Sequence, residues 1–250
     1  MSRLHSRLGD ERGFTLIELL VTIMIGIIVM SAAMGLTEVG ARSTARTTDR
    51  VETIQRSRTA LTQIVQGLRS QVCRDSATPP LVTGDGSSVT YYSDVDNQAT
   101  FAPQKRQLSL VSTGKPEDPR IEEKVWLPLP VAGPPSGPPW TYDDLNPTRT
   151  RTLVSRVSTV GATPFLRYYS FEGTVPLAEP LSTDTTTAPL PTNSIAKVVR
   201  IDVSFRTGPS SGNTDAVRQS DLETSIYLRN TDYTDLSPTT YSRTWGPRCD

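Results

Sequence analysis

Apolar residues run almost unbroken from Phe14 to Leu36, and the only formal charge across these 23 positions is Glu18. As an α-helix this run is roughly 34 Å long, enough to cross a bilayer core of about 30 Å. Before it, Arg3, Arg7 and Arg12 outnumber Asp10 and Glu11, which favours a cytoplasmic N-terminus and an exported C-terminus. A secretory signal would have an apolar stretch of about 7–15 residues followed by a small-residue cleavage site, for which Ser31, Ala32 and Ala33 are available. The longer run and the acid close to its start argue against that reading. A carboxylate at the centre of a spanning helix costs about 2.5–3.5 kcal/mol, so something has to offset Glu18.

Beyond the apolar run the period becomes that of an amphipathic helix. Val51, Ile54, Leu61, Val65, Leu68 and Val72 predict one buried seam, interrupted where Arg58 takes an apolar place. Arg46, Asp49, Arg50, Glu52, Arg56 and Arg69 predict a solvated opposite face. No proline occurs before Pro79, so a single helix is expected from Phe14 to Cys73, with Gly35 and Gly40 as its weak points.

From Pro79 the pattern turns to short β-rich runs: Val89–Ser93, Leu108–Ser112, Ile121–Leu127, Phe165–Glu172, Ile195–Arg206 and Leu222–Leu228. Val199, Ile201, Val203 and Phe205 alternate cleanly, as do Leu222, Ile226 and Leu228. These are signals of an antiparallel sheet with one side buried against the helix. Pro/Gly/Ser/Thr-rich stretches at Val131–Trp140 and Ala178–Asn193 read as surface loops. The expected fold class is α+β, with a long N-terminal helix packed on an antiparallel β-sheet.

Composition narrows the chemistry. Lys+Arg and Asp+Glu balance at 26 each, so no overall basic field points to nucleic acid, which is not expected as a partner. Arg149–Arg156 reads as ordinary surface charge. The one histidine, His5, lies upstream of the apolar run, so the chain after it has no His-dependent triad or zinc site. There is no Walker loop and no GxSxG, and no cofactor is expected. Asp94, Asp96 and Asn97 alternate like the start of a calcium loop but lack its glycine and distal glutamate, so a solvated turn is preferred.

The tract Gly13-Phe14-Thr15-Leu16-Ile17-Glu18-Leu19-Leu20-Val21 resembles the processing motif of type IV prepilins. The resemblance implies cleavage of the Gly13–Phe14 bond by a prepilin peptidase, N-methylation of Phe14, and a charge at Glu18 that pairs with the terminal amine of a neighbouring subunit. It also implies the pilin-like architecture of a long helix followed by a sheet, and no enzymatic activity. The implied division is a cytoplasmic leader over 1–13, a transmembrane and filament-core helix over 14–36, an amphipathic continuation over 37–78 and a β-rich exported domain over 79–250. Expected partners are the peptidase, other pilin or pseudopilin subunits, the inner-membrane assembly platform and membrane lipid. The chain is longer than a typical major pilin and is similar to the larger minor pilins and pseudopilins; a filament-tip adhesin on the same anchor is the alternative. Export would permit a disulfide between Cys73 and Cys249, the chain's two cysteines.

Overall fold

The computed structural model describes residues 15–74, 78–94, 102–114, 118–129, 140–172, 175–176, 181, 189–195, 197–209 and 219–228. The chain divides into two compact units, Met1–Thr48 and Asp49–Asp250. Helix α1, Leu16–Arg69, is continuous through both. Its part in the first unit is exposed throughout, and the large apolar residues from Leu16 to Val39 are each about half or more exposed.

The second unit is built on two antiparallel sheets. One is a five-stranded meander in the order β1 (Leu81–Gly84), β2 (Ser88–Ser93), β3 (Gln104–Val111), β4 (Arg120–Trp126) and β5 (Arg149–Ser155). The other places β10 (Arg200–Thr207) between β11 (Ser220–Tyr227) on one side and β6 (Val157–Ser158) with β7 (Leu166–Tyr169) on the other. A small hairpin of β8 (Phe171–Glu172) and β9 (Val175–Pro176) and a single turn of helix, α2 (Thr192–Ile195), complete the described elements.

The alternation read from the sequence sets the faces. Ile201, Val203 and Phe205 of β10 are fully buried and lie level with Tyr168 and Leu166 of β7 and with Ile226 of β11. They share one core with Val89, Tyr91, Leu108, Ile121 and Val154 of the meander. Phe165 meets Phe205 edge-on, with centroids 6.2 Å apart.

The Asp49–Arg69 stretch of α1 packs into this core, but on a different stripe from the predicted one. Its buried positions are Thr53, Ser57, Ala60, Ile64, Gly67 and Leu68, at helical spacing. Of the predicted seam only Leu68 lies on the centre line. Leu61 and Val65 pack from the flank, and Val51 is 47% exposed. Four of its six residues, Thr53, Ser57, Ala60 and Gly67, are small, and there the helix approaches the sheets closely. The Ser57 hydroxyl bonds that of Thr207, and a Cβ on Gly67 would lie 2.6 Å from the Tyr91 hydroxyl oxygen. Arg56, expected in solvent, donates from Nη2 to the Gly208 carbonyl at 3.0 Å.

The helix stops at Arg69 rather than Cys73. The Ser70 hydroxyl turns back to the Gly67 carbonyl, Gln71 bridges to Ser93, and the Val72 amide donates to Tyr92, so the chain is already extended there. Ile195 closes α2, which is why the predicted strand Ile195–Arg206 begins only at Arg200. Phe165–Glu172 is divided at Ser170. β5, whose arginines read as surface charge, is a strand of the meander.

The two sheets are joined at the turn after β1. Asp85 Oδ1 accepts from the amides of Ser87 and Ser88 and from the Ser87 hydroxyl, and Oδ2 accepts from the Ser88 hydroxyl, all at 2.7–2.8 Å. The Tyr168 hydroxyl, from the other sheet, donates to the carbonyls of Asp85 and Ser88. Gly84 is required beside it, since a Cβ there would come within 2.8–2.9 Å of the Tyr168 ring.

Burial alone would raise the Asp85 carboxyl, but the hydrogen bonds from Ser88 and Ser87 outweigh it and hold the group below its usual range. A depressed carboxylate contributes stability above its unfolded value of about 3.9 and loses it as pH falls through the folded value. Asp85→Asn is therefore expected to cost about 1 kcal/mol at pH 7. In denaturant titrations the gap from the parent protein should stay constant down to about pH 5 and shrink below about pH 4; a gap that is flat or widens in acid would contradict this reading.

Candidate functional site

The predicted cleavage positions, Gly13 and Phe14, lie outside the described residues; Glu18 lies within them. Thr15 caps helix α1. Its Oγ1 accepts from the Glu18 amide at 3.4 Å, and its carbonyl accepts from the amides of Glu18 and Leu19 at 3.1 and 3.2 Å. Thr15-Leu16-Ile17-Glu18 thus has the threonine-to-glutamate spacing of a capping box, with one of its two reciprocal bonds present. This places the Glu18 carboxylate in the first helical turn, at the positive end of the helix dipole.

The helix beyond is suited to an apolar surrounding. The Thr22 hydroxyl donates to the carbonyls of Glu18 and Leu19, and the Ser31 hydroxyl donates to that of Ile27. Both side chains are satisfied within their own helix, as a bilayer interior demands. Among the described residues, α1 is the one helix long and apolar enough to cross a membrane. The first charges after the span are Glu38 and Arg42, which form an exposed pair at 2.5 Å, one helical turn apart.

The body carries a buried charge cluster that sequence reasoning missed. Arg106 donates from Nη1 to Glu123 Oε1 at 3.0 Å and from Nη2 to Gln104 Oε1 at 2.6 Å, while Arg151 Nε reaches Glu123 Oε2 at 2.6 Å. The side chains of Arg106 and Glu123 are 5% and 4% exposed. Tyr91 stands beside them under Gly67, and burial, then the Glu123 charge, push its hydroxyl well above the ordinary value and keep it neutral. The period-2 pattern of β3 and β4 was the available signal: Arg106 and Glu123 stand at core-facing positions, where a charge demands a partner. Both Glu123 oxygens are engaged, so the cluster serves packing.

Of the other sequence candidates, Asp94 uses its backbone amide on the Ser70 carbonyl, while Asp96 and Asn97 lie outside the described residues. No group of three or more His, Cys, Asp or Glu side chains suited to a metal ion occurs among the described residues. Cys73 is not a free cysteine, and Cys249 lies outside the described residues.

Residues 9–34 match the family described as the prokaryotic N-terminal methylation motif. Comparison with curated proteins and with solved structures gave no match. The matched stretch takes in the Thr15 cap, Glu18 and most of the apolar run, and it continues into a helix that packs on antiparallel sheets. That motif belongs to structural subunits rather than enzymes, and with the one such apolar helix among the described residues it fits a single-pass membrane anchor. The chain carries the type IV prepilin signature on an α+β, pilin-like architecture.

Proposed function

We propose that the protein is a non-enzymatic minor subunit of a type IV pilus, a type II secretion pseudopilus or a related uptake filament. The observation that carries this reading is the methylation motif at residues 9–34, running directly into a helix that is apolar on every side. In this reading a prepilin peptidase cuts the Gly13–Phe14 bond on the cytoplasmic side and methylates the new amine of Phe14. The glycine, with no side chain, lets the backbone lie extended and close to the peptidase. The body is exported and the helix holds the subunit in the bilayer until the assembly platform extracts it.

Glu18 is the assembly charge. Alone in an apolar bundle it is costly, and the terminal amine of an adjacent subunit offsets that cost. Its place in the first turn, level with the cap, keeps the carboxylate near the helix start where such an amine would lie. Glu18→Ala should be cleaved and methylated normally but be depleted in the sheared filament fraction, measured against the membrane-bound pool. Incorporation equal to the parent protein would sink the role given to Glu18.

We also propose that Cys73 and Cys249 are bonded to each other, tying the C-terminal tail to the chain just beyond α1. Export supplies the oxidising compartment. A loop of this length stabilises by about 4–5 kcal/mol in the chain-entropy model. Peptide mapping without reduction should recover one linked peptide containing both cysteines, and alkylation of either thiol in the unreduced protein would contradict the bridge.

A further inference from the structure

Where α1 leaves its apolar span, its residue types change abruptly. Val39 closes the run of exposed large apolar side chains that begins at Leu16. Between Val39 and Arg50 every residue except Arg42, Arg46 and Asp49 is glycine, alanine, serine or threonine. The hydroxyls of Thr44, Thr47 and Thr48 donate to the carbonyls of Gly40, Ser43 and Thr44, so these side chains are satisfied within the helix. A Cβ on Gly40 would meet nothing within 4 Å. The arginines stand out from a thin, internally satisfied collar.

Arg46 and Arg50 lie one turn apart on one helix face, about 6 Å along the axis, and both are exposed. Among the described residues neither has an ion pair or a side-chain hydrogen bond. The acids in reach are engaged elsewhere: Glu38 by Arg42, Glu52 by Arg56 at 3.7 Å, and Asp49 is not free either. The two arginines lie about 10 and 16 Å beyond Val39. Helical side chains lean toward the N-terminus, which here is toward the span, and a long arginine reaches back further. That brings the Arg46 guanidinium into the polar layer of a bilayer, about 5–8 Å thick, and Arg50 within a Debye length of about 8 Å. Every cation of α1 is an arginine, the side chain whose planar fork matches a phosphate.

We propose that Arg46 and Arg50 bind the phosphate of an anionic phospholipid in the leaflet where α1 emerges. A zwitterionic lipid carries its own cation beside the phosphate, so two unpaired guanidiniums favour a headgroup of net negative charge. Nucleic acid also offers phosphates, but position decides for lipid. The pair follows the span at headgroup depth, whereas Arg58, equally exposed, lies about 28 Å beyond Val39 and on another face. The site exists only if α1 sits in a bilayer, so it rests on the membrane-anchor reading and adds the class of lipid that the anchor prefers.

The test places the full-length protein in nanodiscs of equimolar phosphatidylcholine and phosphatidylglycerol and counts the lipids still bound by native mass spectrometry. Bound phosphatidylglycerol should exceed phosphatidylcholine, and Arg46→Gln/Arg50→Gln should lower that ratio by about fivefold. Arg58→Gln, which removes the same kind of charge, should leave it unchanged. All three positions are exposed, so the substitutions disturb no core contact. Arg3, Arg7 and Arg12 are common to every variant, so the differences report the pair alone. An unchanged ratio in the double variant, or an equal fall in Arg58→Gln, would overturn the proposal. So would a short DNA duplex that binds the parent protein but not the double variant in phosphatidylcholine nanodiscs, with no phosphatidylglycerol enrichment. Flotation with pure phosphatidylcholine vesicles separates the two readings. A chain that floats but shows no enrichment sinks the lipid site alone; a chain that does not float sinks the membrane anchor and the site with it.

Discussion

A helix that is apolar around its whole circumference has to be covered by something other than water. From Leu16 to Val39 the large side chains of α1 are each about half or more exposed among the described residues. Lipid or the helices of other subunits meet that demand, and in either surrounding an ionised Glu18 is the one costly group. The Thr15 cap and the inward-turned hydroxyls of Thr22 and Ser31 remove the other polar costs of the span. What remains is a single charge at a fixed place near the helix start. A lone charge of that kind is suited to setting register between neighbouring helices.

The same helix follows a different rule once it reaches the body. Thr53, Ser57, Ala60 and Gly67 form a narrow, small-residue contact line, so the backbone approaches both sheets closely and local polar bonds fix its position. At its C-terminal end it lies over the Arg106–Glu123–Arg151 cluster, where Gly67 makes room for the Tyr91 hydroxyl. A buried ion group of this sort gives little net stability, but it leaves few alternative packings, because displacing either partner strands a charge.

The sequence was most legible where one physical signal acted alone. The apolar run was too long, and its acid too early, for a secretory signal. The tract from Gly13 to Val21 was specific, and Ile201, Val203 and Phe205 alternate cleanly; the apolar helix, the motif match and β10 agree with them. The helix face was misread because a search for large apolar residues finds Val51, Ile54 and Val65, whereas close approach selects serine, alanine and glycine. β5 was missed because Arg149 and Arg151 look solvated in sequence, and only the buried Glu123 on the next strand explains why one of them points inward. Arg56 was misplaced for a similar reason, since its carbonyl partner at Gly208 is 152 residues away. Long-range polar partners leave no periodic trace.

The central claim is that the first residues are a processed assembly signal. Intact mass measurement of the mature protein extracted from membranes tests it most directly. The account requires a chain that begins at Phe14 and carries one added methyl group. A chain beginning at Met1, or one cut near Ala33, would contradict it.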